Sequence, residues 1–324
     1  MPRIPVSQLR INTELRHQSF LLREKRVTTT RTGGTMLRVT LADRTGSIPG
    51  IMFDVPAGMF DQLQEGRGVE ASGRVSEYRD QTQLTLERIV PTELSNPAEF
   101  LPVAQRPLGE MEQELDAVIA GVEQPALSAL LSAVFDDKET RKAFTTGPAA
   151  KYNHHACVSG LLEHTLSVAR LVLTALTLHP QIDRDLAISA ALLHDLGKID
   201  SYDPITFELT DQGTLWGHLY CGASRIERAV ASIPGFPADL KLRLVHASLA
   251  HHGRLEYGSP VLPMTLEAIV VYQADQMDSS AQGAVDHFER TADVGGAYTD
   301  RSFMHDTKLF RGSRQAPPSQ TRLW

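Results

Sequence analysis

The sequence predicts a chain in two parts, a small all-β barrel followed by an all-α domain. Three observations predict it. Apolar and polar side chains alternate before residue 90, the period of a half-buried strand. Residues 91–109, "PTELSNPAEFLPVAQRPLG", carry four prolines and little periodicity, which reads as a linker lying on the surface. From about residue 110 to about residue 290, apolar residues recur at the three- and four-residue spacing of helices. The boundaries expected are 10–92 for the barrel, 93–110 for the linker, 111–300 for the helical domain and 301–324 for a tail.

Within the barrel, "TMLRVTLAD" and "QTQLTLERIV" alternate cleanly. "DRTGSIPG" supplies turn residues, and "GRGVEASGRV" places glycines at bends. About five short strands in some 70 residues suggest a Greek-key barrel. In the second part, "EMEQELDAVIAGV" and "ALSALLSAVF" open the helical pattern. The tail, "RGSRQAPPSQTRLW", is polar and holds two prolines, so it reads as mobile or docked on a neighbour.

Composition sets bounds. At 324 residues and 42% hydrophobic content, the chain can bury full cores. A net charge of −7 excludes a uniformly basic nucleic-acid binder. Yet residues 1–40 hold Arg3, Arg10, Arg16, Arg23, Lys25, Arg26, Arg31 and Arg38 against Glu14 and Glu24. A polyanion would meet this part first, although on charge alone a solvated basic face is the simpler explanation. Two cysteines without CxxC spacing argue against a disulfide framework. With no leader-like apolar run and no membrane-length apolar stretch, the expectation is a cytoplasmic protein without a membrane partner.

The chemistry lies in the histidines. Nine of twelve fall between residues 154 and 252, where even scatter would place about a third. In "SGLLEHTLSVARLVLTAL", His164 belongs to the stripe Leu161, His164, Thr165, Val168, Leu171, Val172 and Ala175, so it points inward. In "RDLAISAALLHDLGK", Leu186, Ala190, Leu193 and His194 make a second inward stripe, and Asp195 follows. Gly197 is expected to cap this helix. A buried carboxylate costs several kcal/mol unless a cation faces it. Lys198 is the simplest counter-ion. But "TLEAIVVYQADQMDSS" places Asp275 in a third apolar helix with no adjacent base. Two buried aspartates among inward histidines call for more positive charge, which divalent metals supply. Mixed imidazole and carboxylate donors suit Mn, Fe, Co, Ni or Zn better than Ca or Mg.

The order His164…His194–Asp195…Asp275 resembles the H…HD…D signature of HD-domain metal-dependent phosphohydrolases. "KYNHHACVSGLLEHT", "HDLGK", "WGHL", "LVHASLAHHG" and "GSPVLPMTLEA" narrow this to the HD domain of YhaM-type 3′–5′ exoribonucleases. "LRVTLADRTGSIPGIMFD" is similar to a strand pair of that family's N-terminal OB-fold. The resemblance spans roughly residues 10–290 and implies an OB-fold barrel followed by an HD domain. It implies two divalent ions, Mn2+ foremost, with Co2+, Fe2+, Ni2+ and Zn2+ as alternatives. His164, His194, Asp195 and Asp275 would hold one, and a shared Asp195 with His218, His251 and His252 the other. Asp195 is thereby catalytic, and Lys198 matches the lysine of HDxGK as a catalytic phosphate contact. His154, His155 and His246 match family positions and are carried as substrate-binding candidates. Gly160 stands where some HD enzymes place a glutamate for a third metal, and Gln273 where a histidine is half expected. Asp278 is a candidate substitute ligand there, but reads more readily as an exposed helix residue.

On the barrel, Arg23, Lys25, Arg26, Arg31 and Arg38 are candidate phosphate contacts, and Phe20, Phe53 and Tyr78 candidate stacking rings. Core is the commoner fate of a strand Phe such as Phe20 or Phe53, and Tyr78, near a turn, is the better stacking candidate. The function implied is degradation of single-stranded RNA, or DNA, from the 3′ end to nucleoside 5′-monophosphates. Two metals ~3.5–4 Å apart would clamp the scissile phosphate. An HD nucleotidase or cyclic-dinucleotide phosphodiesterase is one alternative, and a non-catalytic nucleic-acid-binding adaptor another. Homo-oligomerisation stays open.

Overall fold

A computed structural model describes residues 3–29, 34–56, 58–78, 81–151, 155–292 and 295–312. The chain divides into two compact units. One comprises residues 1–103 with 203–207, and the other residues 104–202 with 208–324.

The first unit is the expected barrel. A 3-10 turn at Val6–Gln8 precedes β1 (Glu14–Thr29), β2 (Thr35–Asp43), β3 (Gly46–Phe53), the single turn α1 (Met59–Gln62), β4 (Gly68–Tyr78) and β5 (Gln81–Pro91). The strands close in the order β1-β2-β3-β5-β4, with β3 and β5 parallel and the other pairs antiparallel. Closure requires β1 to serve two neighbours. Its inner half pairs with β4 and its outer half with β2, and its register shifts at Leu15/Gln18 and Leu22/Glu24. Such bulges bend a strand so that one strand can reach both partners. Gly73 marks the β4 bulge, where an added Cβ would lie 2.1 Å from the Thr85 carbonyl oxygen. Phe20, Leu22, Leu37, Leu41, Val75, Leu84 and Ile89 fill the interior.

The segment read as a linker is packed more tightly than its prolines suggest. Leu94, Phe100 and Leu101 are buried, and the Arg3 guanidinium lies 4.5 Å from the Phe100 ring centre. Arg3 also pairs with the buried Asp43 at 2.5 Å.

The second unit is helical: α2 (Leu108–Ala120), α3 (Pro125–Phe135), α4 (Lys138–Thr146), α5 (Gly160–Leu178), α6 (Arg184–Leu193), α7 (Lys198–Ser201), α8 (Asp211–Leu215), α9 (Gly217–Ala231), α10 (Ala238–Ala250) and α11 (Leu266–Arg290). Side-chain caps start several of them: Asp137 accepts from the Thr140 amide, Asp183 from Leu186 and Thr265 from Ala268. The apolar stripes of α5, α6 and α11 meet in one core that includes Leu161, Val168, Leu192, Leu193 and Val271. By length and composition α5 could cross a membrane, but its apolar stripe faces this core.

Two expectations need correction. Gly197 is not a left-handed cap: its φ is −69°, and it begins α7. It is needed because α9 crosses it closely. A Cβ there would lie 2.1 Å from the His218 carbonyl oxygen and 2.3 Å from the Gly222 nitrogen. The expected tail also holds a hairpin, β6 (Tyr298–Ser302) and β7 (Thr307–Phe310), tied to α11 through His287 Nε2 at Thr299 Oγ1, 3.2 Å away. Short strands with weak alternation left no periodic signal. The remainder of the tail, 313–324, lies outside the described residues.

Gly197→Ala should therefore cost about 1–3 kcal/mol, the usual penalty for overpacking a tight interior. Urea unfolding followed by circular dichroism measures it. An unchanged midpoint would mean that the α7–α9 crossing has room to spare.

Candidate functional site

The site forms where α5, the end of α6, the start of α9, the end of α10 and α11 converge. Each element ends or bends there for a local reason. Helix α6 stops at Leu193, so His194 and Asp195 fall in the turn that follows it, both still buried. Helix α10 stops at Ala250 in the same way, which presents His251 and His252. His164 lies mid-helix on α5 and Asp275 mid-helix on α11, both on buried faces.

Asp195 is the centre. It is 1% exposed, yet neither carboxylate oxygen has a well-aligned hydrogen bond. Instead nitrogens surround it at ion-pair distances. Oδ2 faces Lys198 Nζ at 2.6 Å and His164 and His194 Nε2 at 3.3 Å each. Oδ1 faces His251 Nε2 at 3.4 Å and His218 Nε2 at 3.6 Å. The two oxygens of one carboxylate thus address two different histidine groups.

Around Oδ2, His164 Nε2 lies 3.1 Å from Asp275 Oδ1 and 3.3 Å from His194 Nε2. Around Oδ1, His218 Nε2 lies 3.1 Å from His252 Nε2. All seven residues expected as metal ligands are therefore brought together. His194, Asp195 and His164 form one compact donor set, and His218, His251 and His252 another.

The histidine rings are oriented from behind. His194 Nδ1 is 2.7 Å from the Ala191 carbonyl, His251 Nδ1 2.7 Å from that of Ser248, and His252 Nδ1 2.7 Å from that of Tyr257. His164 Nδ1 is 2.7 Å from Asp278 Oδ2. A carbonyl or carboxylate at Nδ1 requires a donated N–H, which leaves the Nε2 lone pair facing inward. Two such lone pairs at 3.3 Å, His164 and His194, repel unless a cation lies between them. A proton on His164 is one such cation. Burial opposes it, but the facing carboxylates of Asp195, Asp275 and Asp278 outweigh burial and raise His164 well above the ordinary imidazole range.

A divalent metal meets the same demand with better geometry. Donors bonded at ~2.1 Å lie ~3.0–3.4 Å from one another in octahedral or tetrahedral coordination. The separations of 3.1–3.3 Å around Asp195 Oδ2 fall in that interval. In the second group, burial pushes His252 down to about 4 and His218 well below its usual value, so both stay neutral and able to donate lone pairs. The residues present fit two metal ions that share Asp195.

The other candidates divide. Lys198 is buried and bound to Asp195, and that charge outweighs burial to raise its pKa. His155 joins the cluster from behind, with Nε2 3.1 Å from Asp278 Oδ2 and Nδ1 3.2 Å from Glu163 Oε2. His246 does not join it: its Nε2 accepts from the Met264 amide at 2.9 Å. His154 and Arg31 lie outside the described residues. Asp278, read from the sequence as exposed, is half-buried and touches two histidines. Its position three residues after Asp275, on one face of α11, was the signal available. Glu163 was also missed, because its partner His155 precedes the helix.

On the barrel, Phe20 is core and fully buried, whereas Phe53 is 55% and Tyr78 53% exposed. Arg23, Arg26 and Arg38 are exposed, and strand pairing sets Arg26 opposite Arg38. Arg38 pairs onward with Ile51, Ile51 with Thr85, and Thr85 with Arg74. This outward row adds Arg74 to the basic candidates. Like charges placed opposite one another cost stability, so the arginine pair favours an anionic partner. Lys25 differs. Its amine is bound by the Phe60 and Leu63 carbonyls at 2.8 and 2.6 Å and lies 4.0 Å from the Phe60 ring centre.

Comparison with known proteins agrees with this division. The HD domain family matches residues 161–280, and an OB-fold nucleic acid binding domain matches residues 24–92. The 3′–5′ exoribonuclease YhaM of Bacillus subtilis is 31% identical over 282 residues, 86% of this chain and 88% of that protein. Its namesake from Bacillus licheniformis is 32% identical over 284 residues, 86% and 88% of the two chains. That of Bacillus velezensis is 30% identical over 297 residues, 90% and 93%. Identity at this level across nearly the whole length, with both domains in the same order, means that the chain belongs to the YhaM family of 3′–5′ exoribonucleases.

Proposed function

We propose that the protein is a metal-dependent 3′–5′ exoribonuclease that degrades single-stranded RNA to nucleoside 5′-monophosphates. The observation that carries this reading is Asp195, a buried carboxylate whose two oxygens face two separate histidine groups. Family membership supports the polarity and the RNA substrate.

The reaction adds one water to the last phosphodiester. The P–O3′ bond breaks, the 5′-monophosphate departs, and the shortened strand keeps a free 3′-hydroxyl. Two divalent ions, Mn2+ foremost, would neutralise the phosphate and lower the pKa of the attacking water. Asp195 would belong to both ion sites. His164, His194 and Asp275 complete one, and His218, His251 and His252 the other. The carbonyls of Ala191, Ser248 and Tyr257 hold three rings in the required tautomer. Lys198 keeps Asp195 ionised and adds positive charge beside the phosphate. The barrel supplies grip: Arg26, Arg38 and Arg74 for phosphates, and Phe53 and Tyr78 for unstacked bases. DNA strands present the same phosphates and faces, so single-stranded DNA is a second substrate of this design. A cytoplasmic location is part of the proposal, supported by two cysteines without a disulfide.

Asp195→Asn removes the shared charge at nearly constant shape. Elemental analysis should find most of the metal lost and RNA turnover abolished, with helical content retained. Wild-type metal content and near-normal turnover would sink the assignment. Direction is tested with 5′-labelled RNA carrying either a free or a blocked 3′ end. A descending ladder is expected from the first and little product from the second. Immediate release of the labelled mononucleotide, or internal cuts in the blocked RNA, would refute 3′–5′ exonuclease action.

A further inference from the structure

Among the four histidines whose Nδ1 contact is described above, His164 is held differently. His194, His251 and His252 each meet a main-chain carbonyl, a neutral acceptor. His164 meets the Asp278 carboxylate. An N–H donated to a carboxylate leaves the imidazole more electron-rich, which strengthens the bond its other nitrogen makes to a metal.

Asp278 is itself held. The same Oδ2 that faces His164 lies 3.1 Å from His155 Nε2, and the opposite nitrogen of His155 lies 3.2 Å from Glu163 Oε2. Glu163 Oε1 in turn accepts from the Arg106 amide at 3.2 Å. With both ring nitrogens aimed at carboxylates, His155 is placed to donate at both. Its backbone takes a left-handed conformation, φ 56°, unusual for a residue with a side chain. Such a conformation persists where the surroundings over-determine it. His155 is buried, and the Asp278 side chain is 14% exposed.

We propose that Asp278 is a positioning residue for the metal centre, fixing the tautomer and raising the donor strength of His164, and that the Glu163–His155 pair aims it. The role rests on reading the histidine cluster as a metal centre. It gives His155 a task behind the ligands rather than at the substrate. It also orders the variants. Asp278→Asn keeps the shape and an acceptor oxygen but loses the charge. His155→Gln keeps Asp278 and removes its support. If the two act through one chain, the double variant should be no worse than Asp278→Asn alone.

The test is Co2+ binding to the full-length protein, followed by calorimetry and by the visible absorption of the bound ion. Asp278→Asn should weaken one of the two sites, the one that includes His164, about 10–100-fold, as losing such outer partners commonly does, and shift the absorption bands. His155→Gln should move both readouts the same way by less, and Asp278→Glu should restore part of the affinity. Thermal unfolding of the metal-free proteins separates this from simple misfolding, because all variants should melt cooperatively. Wild-type affinity and spectrum in a folded Asp278→Asn protein would overturn the positioning role alone. A wild-type protein that binds no Co2+ would overturn the metal reading itself.

Discussion

A single buried carboxylate sets the terms for the helical unit. Asp195 is almost wholly removed from water, and an ionised group in that position costs several kcal/mol unless cations surround it. Lys198 meets part of the demand. The rest falls on imidazole nitrogens from its own turn after α6 and from three other elements, α5, α9 and the end of α10, each turned so that a nitrogen faces the carboxylate. That arrangement is unfavourable without a further positive charge at its centre. Much of the surrounding fold can be understood as holding it in place. Helices α6 and α10 both end at the cluster, α5 and α11 bring a histidine and an aspartate on their buried faces, and Gly197 lets α9 approach closely enough for His218 to arrive.

The barrel answers a different constraint. It must close with five strands, so β1 bends through two bulges and pairs on both sides. The bends explain which basic residues remain outside. Phe20, Leu21 and Leu22 are buried in succession, which breaks the alternation. Beyond the bulge, Arg26 emerges opposite Arg38, while the Lys25 amine is taken up by carbonyls near α1. The proposed function places grip and chemistry in separate units, one with exposed arginines and the other with a buried histidine cluster.

Much of this was legible in the sequence, and the gaps have physical causes. Alternation over 35–43 and 81–90 located strands because each has one face in the core. His164, His194, Asp195 and Asp275 stood out because charged and imidazole groups in apolar helices are costly and demand a reason, whereas His218, His251 and His252 came from the family resemblance. Lys25 was misjudged because a bulge cannot be read from alternation. Asp278 read more readily as exposed because the groups that cover it, His155 and His164, are more than a hundred residues away in sequence. His155 and His246 were carried as substrate-binding candidates because they match family positions. Their partners, Glu163 and the Met264 amide, are tertiary facts. The 298–310 hairpin was too short to carry a period.

The central claim is that one carboxylate joins two metal ions. The most direct measurement is electron paramagnetic resonance of the wild-type protein during titration with Mn2+. The account predicts saturation at two ions per chain and an exchange-coupled signal once both are bound, because ions sharing Asp195 must lie close together. Saturation at one ion, or two ions that keep the independent six-line spectrum of isolated Mn2+, would contradict it.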